Sequence, residues 1–376
     1  MTVQGAGGFV EPAYSARSLA DVVPAAAAAL GAPLGRTPSD LVLPEAPGVV
    51  ILLIDGMGQR LLERYGHVAP YLSSLMGAPG TAGVPSTTAT SLTSLGTGLA
   101  PGQHGLVGYT ARIPGTDELL NHLEWADGVD PEQWQPHPTA FAQLGAAGVQ
   151  VNVVNKRDFR KSGLTRAGHR GAEYVGADKT GERIAAAIQC AGRTPSLTYL
   201  YDSDLDWTGH VHGVASTAWL QELASIDATA EQLREALPDS VRLVVVADHG
   251  MVDCPREERV DVDEHLDLRA GVSLLGGEAR FRHLYCRPGA VEDVVATWSE
   301  HLGERATVLR RDEVIGRGWF GPVVESHARA RLGDVMVACH GGTAVVSTRD
   351  FEKEDKLVGM HGSLSADEML IPILVG

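Results

Sequence analysis

Four stretches of the 376-residue sequence end apolar runs on side chains able to hold a cation. "GVVILLIDG" delivers Asp55, "VVVADHG" delivers Asp248 and His249, "YDSDLDWTGHVHG" places Asp206 and His210 four apart, and "VGMHGSLSADEM" supplies His361 beside glycine-flanked turns. Carboxylates mixed with imidazoles form an oxygen and nitrogen donor set suited to borderline divalent metals such as zinc. Taken singly, each residue has a plainer reading. An Asp after a strand caps a helix or forms a turn, an Asp/His pair four apart sits on a surface helical turn, and a loop His is satisfied locally. Their joint occurrence at the ends of apolar runs favours a shared site.

A metal cluster of this kind needs a reacting group, and "GVPSTTATSLTSLGTGLAPGQHGLVGY" (83–109) offers four hydroxyls, Ser86, Thr87, Thr88 and Thr90. They precede a helix-like segment that closes on Gly96, Thr97 and Gly98. A hydroxyl at a helix N-terminus, beside free backbone N–H groups, is placed to meet a phosphoryl group, and a metal-bound hydroxyl ionises near neutral pH. An ordinary Ser/Thr capping box accounts for the same composition. The local sequence does not choose among the four.

The elements that must position these residues read as short strands at 48–56, 148–155, 196–204, 241–250 and 333–342. They are apolar throughout rather than alternating, as strands covered on both faces are. Between them lie helical patterns such as "TAWLQELASIDATAEQLREAL", with apolar residues at three- and four-residue steps. The alternation predicts an α/β fold: a doubly wound, mostly parallel sheet with helices on both faces and ligands at the carboxyl ends of its strands. Two segments fit poorly. The Pro-, Gly-, Trp- and acid-rich stretch 109–138 reads as an edge excursion or lid, and 280–311 reads strand, helix, strand, within a small appended α+β unit over 255–330. With no internal repeat or low-complexity linker, a single catalytic domain over 1–376 carrying these insertions is expected.

With 44% apolar residues the chain can bury a large core. Its formal charge of −16, with no basic run, disfavours a nucleic-acid polymer or an anionic membrane as partner. Bound cations would still let an acidic protein handle a small phosphorylated substrate. Cys190, Cys254, Cys286 and Cys339 are widely spaced with no CxxC pair, which fits a reduced compartment. The opening residues lack a leader pattern, the alanine tract "VVPAAAAALGAP" is too short to span a bilayer and reads as one core-packed helix, and a cytoplasmic protein is expected.

From "ILLIDGMG" to "MHGSLSADEMLIPILV", the motifs and their order resemble the alkaline phosphatase superfamily, most closely its type I phosphodiesterase/nucleotide pyrophosphatase branch. The resemblance implies two divalent metal ions, zinc foremost and manganese as a substitute. It places one on Asp206, His210 and His361 and the other on Asp55, Asp248, His249 and the nucleophile. Distance from Thr97 and Gly98 in the family pattern selects Thr88 as that nucleophile. The implied reaction is in-line attack by Thr88, with departure of the leaving oxygen and hydrolysis of a phosphothreonine intermediate, between two cations about 4 Å apart. No protein general base is required, which leaves His104 and His212 as residues that support the ligands or the fold.

The sequence departs from the family where substrate is held. Ala89-Thr90-Ser91-Leu92 replaces the common Phe-Pro-Asn-His, and Gly108-Tyr109 stands where an asparagine often binds a phosphate oxygen; the Tyr109 phenol is a substitute donor. Arg157, Arg160, Arg166 and Arg170 are the candidates for gripping a terminal phosphate, with solvated surface the expected place for them. The resemblance thus implies a phosphodiesterase or nucleotide pyrophosphatase acting on a small phosphorylated substrate, possible nucleotides included. A phosphomonoesterase or a phosphonate (C–P) hydrolase is the alternative within the same fold, and a non-catalytic binding protein a remote one. A phosphosugar or phosphoglycerate mutase would carry a large inserted domain whose motifs are absent from the sequence.

Overall fold

The computed structural model describes residues 8–36 and 39–376. The leader-free reading of the first seven residues lies outside that range. In chain order the elements that build the site begin with β1 (Gly48–Ile54) and α1 (Thr88–Thr97), then β2 (Gln150–Asn155), β3 (Glu173–Gly176) and α2 (Thr180–Ala191). They continue through β4 (Ser196–Asp202), α3 (Asp204–His212), α4 (Thr217–Ala236) and β5 (Val241–Val246). A second group comprises β6 (Val272–Glu278), β7 (Phe281–Cys286), α5 (Val291–Leu302), β8 (Ala306–Arg310) and β9 (Val335–Cys339), and β10 (Ile373–Val375) closes the chain.

The central sheet runs β10-β5-β1-β4-β2-β3, and every pairing is parallel except that of β10 with β5. This is the mixed α/β architecture that alternating apolar runs and helical patterns predict. Its middle strand β1 is buried at all seven positions, so both faces are covered and each aliphatic side chain contributes roughly 1.5–3 kcal/mol. The helices use the expected period. In α4 the buried Trp219, Leu223, Ile226, Ala230 and Leu233 fall at steps of four and three, and Ser216 caps the start by accepting from the Trp219 N–H. The alanine tract forms one short helix, Val22–Ala29. No described helix is long and apolar enough to cross a membrane.

The run 333–342 does not join the central sheet. As β9 it lies in a separate four-stranded antiparallel sheet of order β6-β7-β9-β8. The misassignment has a physical cause: Met336 and Ala338 face the main core while Val335, Val337 and Cys339 face a second core with Trp298 and Leu302 of α5. A strand buried on both faces reads alike in either sheet. The segment 109–138 opens with a hairpin, Thr110–Arg112 against Leu119–Asn121. It leans on the second sheet, where the Thr110 hydroxyl donates to the Gly277 carbonyl and the Tyr285 phenol accepts from the Arg112 N–H.

Candidate active site

Each ligand-type residue leaves an element at the same edge of the central sheet. Asp55 follows β1 directly, and its N–H extends the ladder by donating to the Asp202 carbonyl at 2.9 Å. Asp248 and His249 follow β5 after Ala247. Asp206 and His210 lie four apart on α3, hence on one helix face. Gly56 lets these elements close up: it has φ of +74°, and a β-carbon there would stand 3.0 Å from an Asp206 carboxylate oxygen. His361 arrives on a late loop that Ser86 pins, through a hydroxyl bond to the Ser363 carbonyl and an N–H bond to the Gly362 carbonyl.

The donor atoms converge. His249 Nε2 lies 3.4 Å from both Asp55 Oδ1 and Asp248 Oδ2. His210 Nε2 is 3.2 Å from Asp206 Oδ2, and His361 Nε2 is 3.8 Å from Asp206 Oδ1. One group of donor atoms within 4.8 Å of one another comes from Asp55, Asp248 and His249; another comes from Asp206, His249 and His361. His249 therefore reaches both groups, with its ring stacked 3.7 Å from that of His361, while His210 faces the other oxygen of the Asp206 carboxyl.

All three imidazoles turn the same nitrogen away. Nδ1 of His210, His249 and His361 faces the carbonyls of Gly359, Gly250 and Ser86 at 2.7, 3.0 and 2.9 Å. A carbonyl only accepts, so Nδ1 carries a hydrogen, and in the neutral imidazole this turns the Nε2 lone pair inward, the tautomer of a metal ligand. Opposite them, Asp55 Oδ1, Asp206 Oδ1 and Asp248 Oδ2 are buried without a hydrogen-bond partner. Buried carboxylate oxygens are normally paired or bound to cations, so these residues fit a pair of divalent ions.

The electrostatics carry the same signature. Burial, reinforced by the charges of Asp248 and Asp206, pushes the Asp55 carboxyl well above its usual range despite the Tyr201 hydrogen bond, and burial raises Asp248 likewise. Burial also acts upward on Asp206, but the imidazoles of His210, His361 and His249 outweigh it and hold the group low. His361 is pushed well below its usual value by burial and by His249. For His210 burial acts downward, and Asp206 overcomes it to raise the imidazole. Crowded carboxylates that resist ionising together are what a bound cation would relieve.

The structure separates the four hydroxyls around the start of α1. Ser86 is spent on the Ser363 carbonyl, Thr90 on the Leu106 carbonyl, and Thr87 occupies the N-cap position in extended backbone. Thr88 opens the helix, its Oγ1 3.4 Å from Asp55 Oδ2 and 3.3 Å from His249 Nε2. Every residue of α1 is buried, and its other hydroxyls have fixed partners: Thr93 on Ala89, Thr97 on Thr93, Ser91 on the Asp248 carbonyl and Ser94 on His104. At the far end Arg36 donates to the Thr97 and Gly98 carbonyls, a cation at the negative end of the helix dipole.

The remaining residues fall as follows. His104 bridges Ser94 and the Leu106 N–H inside the fold, and His212 is exposed. The Tyr109 phenol accepts from Asn121 Nδ2 at 2.7 Å, which leaves its own hydrogen free to donate. The four candidate arginines are engaged elsewhere: Arg157 with Asp178 and Glu182, Arg166 with Asp130 and Glu132, Arg160 and Arg170 with backbone carbonyls. Sequence reasoning missed Tyr201, whose phenol donates to Asp55 Oδ2. Its signal was position alone, in register with Leu53 on the neighbouring strand.

This mostly parallel sheet, with candidate ligands gathered at one edge, gives the chain the α/β fold of the alkaline phosphatase superfamily. Within it the chain belongs to the type I phosphodiesterase/nucleotide pyrophosphatase family, whose pattern matches residues 49–364. It is 24% identical over 257 residues to ectonucleotide pyrophosphatase/phosphodiesterase family member 1 of Mus musculus, covering 63% of this chain and 28% of that protein. The Homo sapiens counterpart is 23% identical over 265 residues, covering 63% and 27%. The chain thus spans under a third of these relatives. Among solved structures, murine ectonucleotide pyrophosphatase/phosphodiesterase 5, in an inactive threonine-to-alanine form in complex with AMP, superposes with a TM-score of 0.69 at 18% identity, covering 87% of each chain. The human protein gives 0.66 at 20%, with the same coverage. These similarities show the fold.

Proposed function

We propose that the chain is a metal-dependent phosphodiesterase of nucleotide pyrophosphatase type, working through a covalent phosphothreonine on Thr88. The observation that carries this reading is the placement of the Thr88 hydroxyl at the N-terminus of α1, within 3.4 Å of Asp55 and 3.3 Å of His249. Asp55, Asp206, Asp248, His210, His249 and His361 would hold two divalent cations, zinc first and manganese as a substitute. When bound, such ions supply Lewis acidity that lowers a hydroxyl's pKa and stabilises charge on a departing oxygen.

Thr88 loses its proton to solvent and its Oγ1 attacks phosphorus in line. The Oγ1–P bond forms as the bond to the leaving oxygen breaks, and that oxygen takes a proton from water. A water molecule then adds to phosphorus, the Oγ1–P bond breaks, and Thr88 regains a proton. The backbone N–H groups at the start of α1 stabilise the phosphoryl oxygens throughout, and the free Tyr109 hydrogen is a further donor to them.

A diester is the proposed substrate because the four candidate arginines are committed to other partners, leaving none of them to neutralise the second charge of a terminal phosphate. The murine neighbour's complex with AMP, itself a monoester, supports a nucleotidyl group as one part of such a diester. The four cysteines are all free thiols, which supports a reducing, cytoplasmic setting; fractionation that places the protein outside the cell would reverse this.

The test is a panel of p-nitrophenyl phosphate, bis-p-nitrophenyl phosphate, the p-nitrophenyl ester of thymidine 5′-monophosphate and phosphonoacetate, with added zinc or manganese and metal analysis of active protein. Close to two equivalents of zinc, loss of activity with a chelator, and cleavage of the diesters are expected. Active protein free of transition metal rejects the reading.

A further inference from the structure

Among the described residues, four carboxyl groups hold buried oxygens with no hydrogen-bond partner: Asp55, Asp206, Asp248 and Glu278. Three belong to the cluster above. The fourth, at the end of β6, comes from the second sheet, is 7% exposed, and has both oxygens unpartnered.

Its surroundings lead back to the same site. A β-carbon on Gly362, the residue after His361, would stand 2.6 Å from Glu278 Cγ, and one on Gly108 would stand 3.7 Å from its Oε1. The Thr87 hydroxyl and the Tyr109 N–H lie near enough to favour its ionised form, yet neither completes a hydrogen bond. The carboxyl therefore sits where the residue before Thr88, the residue after His361 and the Gly108-Tyr109 backbone meet.

We propose that Glu278 is a substrate-binding residue of this site: its carboxyl, lodged between Thr87, Gly108 and Gly362, donates a hydrogen bond to a phosphoryl oxygen of the bound diester. The inference rests on the phosphodiesterase reading. Charge balance dictates the donor role. Three aspartates and an ionised threonine already match two divalent cations, so a further anion would repel a phosphodiester, whereas a neutral acid offers it a hydrogen. Burial is the dominant influence on the group and pushes it up to about 8, while the nearby charges of Arg282 and Glu354 act in opposite senses.

The experiment compares zinc-loaded wild type with Glu278→Gln, which keeps the shape and a donor, and Glu278→Met, which keeps the bulk without one. Zinc content, kcat/KM on bis-p-nitrophenyl phosphate and calorimetric binding of inorganic phosphate are measured for each. Glu278→Gln is expected within about threefold of wild type on all readouts; Glu278→Met should lose at least about tenfold in kcat/KM and in phosphate affinity with zinc unchanged. A wild-type rate in Glu278→Met, a Gln variant as impaired as Met, or loss of zinc from either overturns the inference. Should Glu278→Met fail to fold, Glu278→Asp, which withdraws the carboxyl by one methylene, is expected to show the same loss, and a wild-type rate there overturns it. If zinc-loaded wild type cleaves no diester, the phosphodiesterase reading fails, and phosphate binding by the variants still decides the role of Glu278.

Discussion

Tyr201 donates its phenol hydrogen to Asp55 Oδ2, the same carboxylate oxygen that faces the Thr88 hydroxyl. Tyr201 lies on β4 opposite Leu53 of the adjacent parallel β1, which Asp55 follows directly, so the sheet register fixes the contact. Asp55 is thereby held by one oxygen while the other stays free and buried.

Tyr201→Phe removes that anchor and little else, since the ring remains in the core. Loss of a hydrogen bond that orients a metal ligand typically costs about 10–100-fold in metal affinity. A folded variant with zinc binding weakened in this range is expected. Competition with a chromogenic chelator measures it, and an unchanged affinity would leave Tyr201 without a role in the site.

A second supporting contact carries the His361 loop. Arg280 and Glu368, both with fully buried side chains, form a forked pair at 2.7 and 2.8 Å, and Glu368 Oε1 also accepts from the Ser363 N–H. Arg280→Ala leaves a buried carboxylate without its partner, which costs about 3–5 kcal/mol. Denaturant titration should show that loss, and a stability within about 1 kcal/mol of wild type would mean that the loop relaxes and rehydrates Glu368.

Much of this site is legible in the sequence because its residues sit at the ends of strongly apolar runs: Asp55 after "VVILLI", Asp248 and His249 after "VVVA", Asp206 and His210 one helical turn apart. What escaped has physical causes. The edge strands β3 and β10 are four and three residues long, too short to show a period. Strand β9 is buried on both faces, so its apolar run carries no mark of which sheet it joins. Tyr201 and Glu278 reach the site through strand pairing and sheet placement, relationships between distant segments that no local pattern encodes.

Metal-free protein should lose stability as the pH rises. Burial and like charge raise Asp55, and burial raises Glu278 to about 8, so between their unfolded and folded pKa values the folded state binds more protons than the unfolded one. His210, raised by Asp206, acts the same way above 6.5. His361, like the buried His104, His122, His169 and His283, is lowered and acts the opposite way, an effect half spent at the unfolded value of 6.5 and gone about a unit above it. The melting temperature of chelated protein is therefore expected to fall from about pH 7.5 to 8.5, and zinc should flatten the slope by replacing protons with a cation. A rising melting temperature over that range without metal would contradict these shifts.

Diesters should outpace the corresponding monoesters at equal concentration. Among the candidates for a second-charge partner, Arg157 and Arg166 are paired with acids at exposed positions, and Arg170 is spent on carbonyls. A monoester preference of about tenfold or more, equivalent to about 1.4 kcal/mol of differential transition-state binding, would move the function to the phosphomonoesterase reading.

The nucleophile gives the sharpest outcome, because four hydroxyls crowd the start of α1, Ser86 and Thr90 are spent on backbone carbonyls, and of the other two it is Thr88 that faces Asp55 and His249. Thr88→Ala should abolish turnover yet keep most metal binding, since Asp55, Asp248 and His249 remain together within 4.8 Å. Thr88→Ser keeps the hydroxyl and should retain part of the rate. Thr87→Ala should stay substantially active: Thr87 makes no side-chain capping bond, so the helix loses less than the roughly 1 kcal/mol of a working cap. Acid-quenched mass spectrometry during turnover should find a phosphoryl or nucleotidyl adduct on Thr88 within the peptide from Gly83 to Thr97. An adduct on Thr87 or Thr90 would transfer the role to that residue, and wild-type turnover by Thr88→Ala would reject a covalent threonine mechanism.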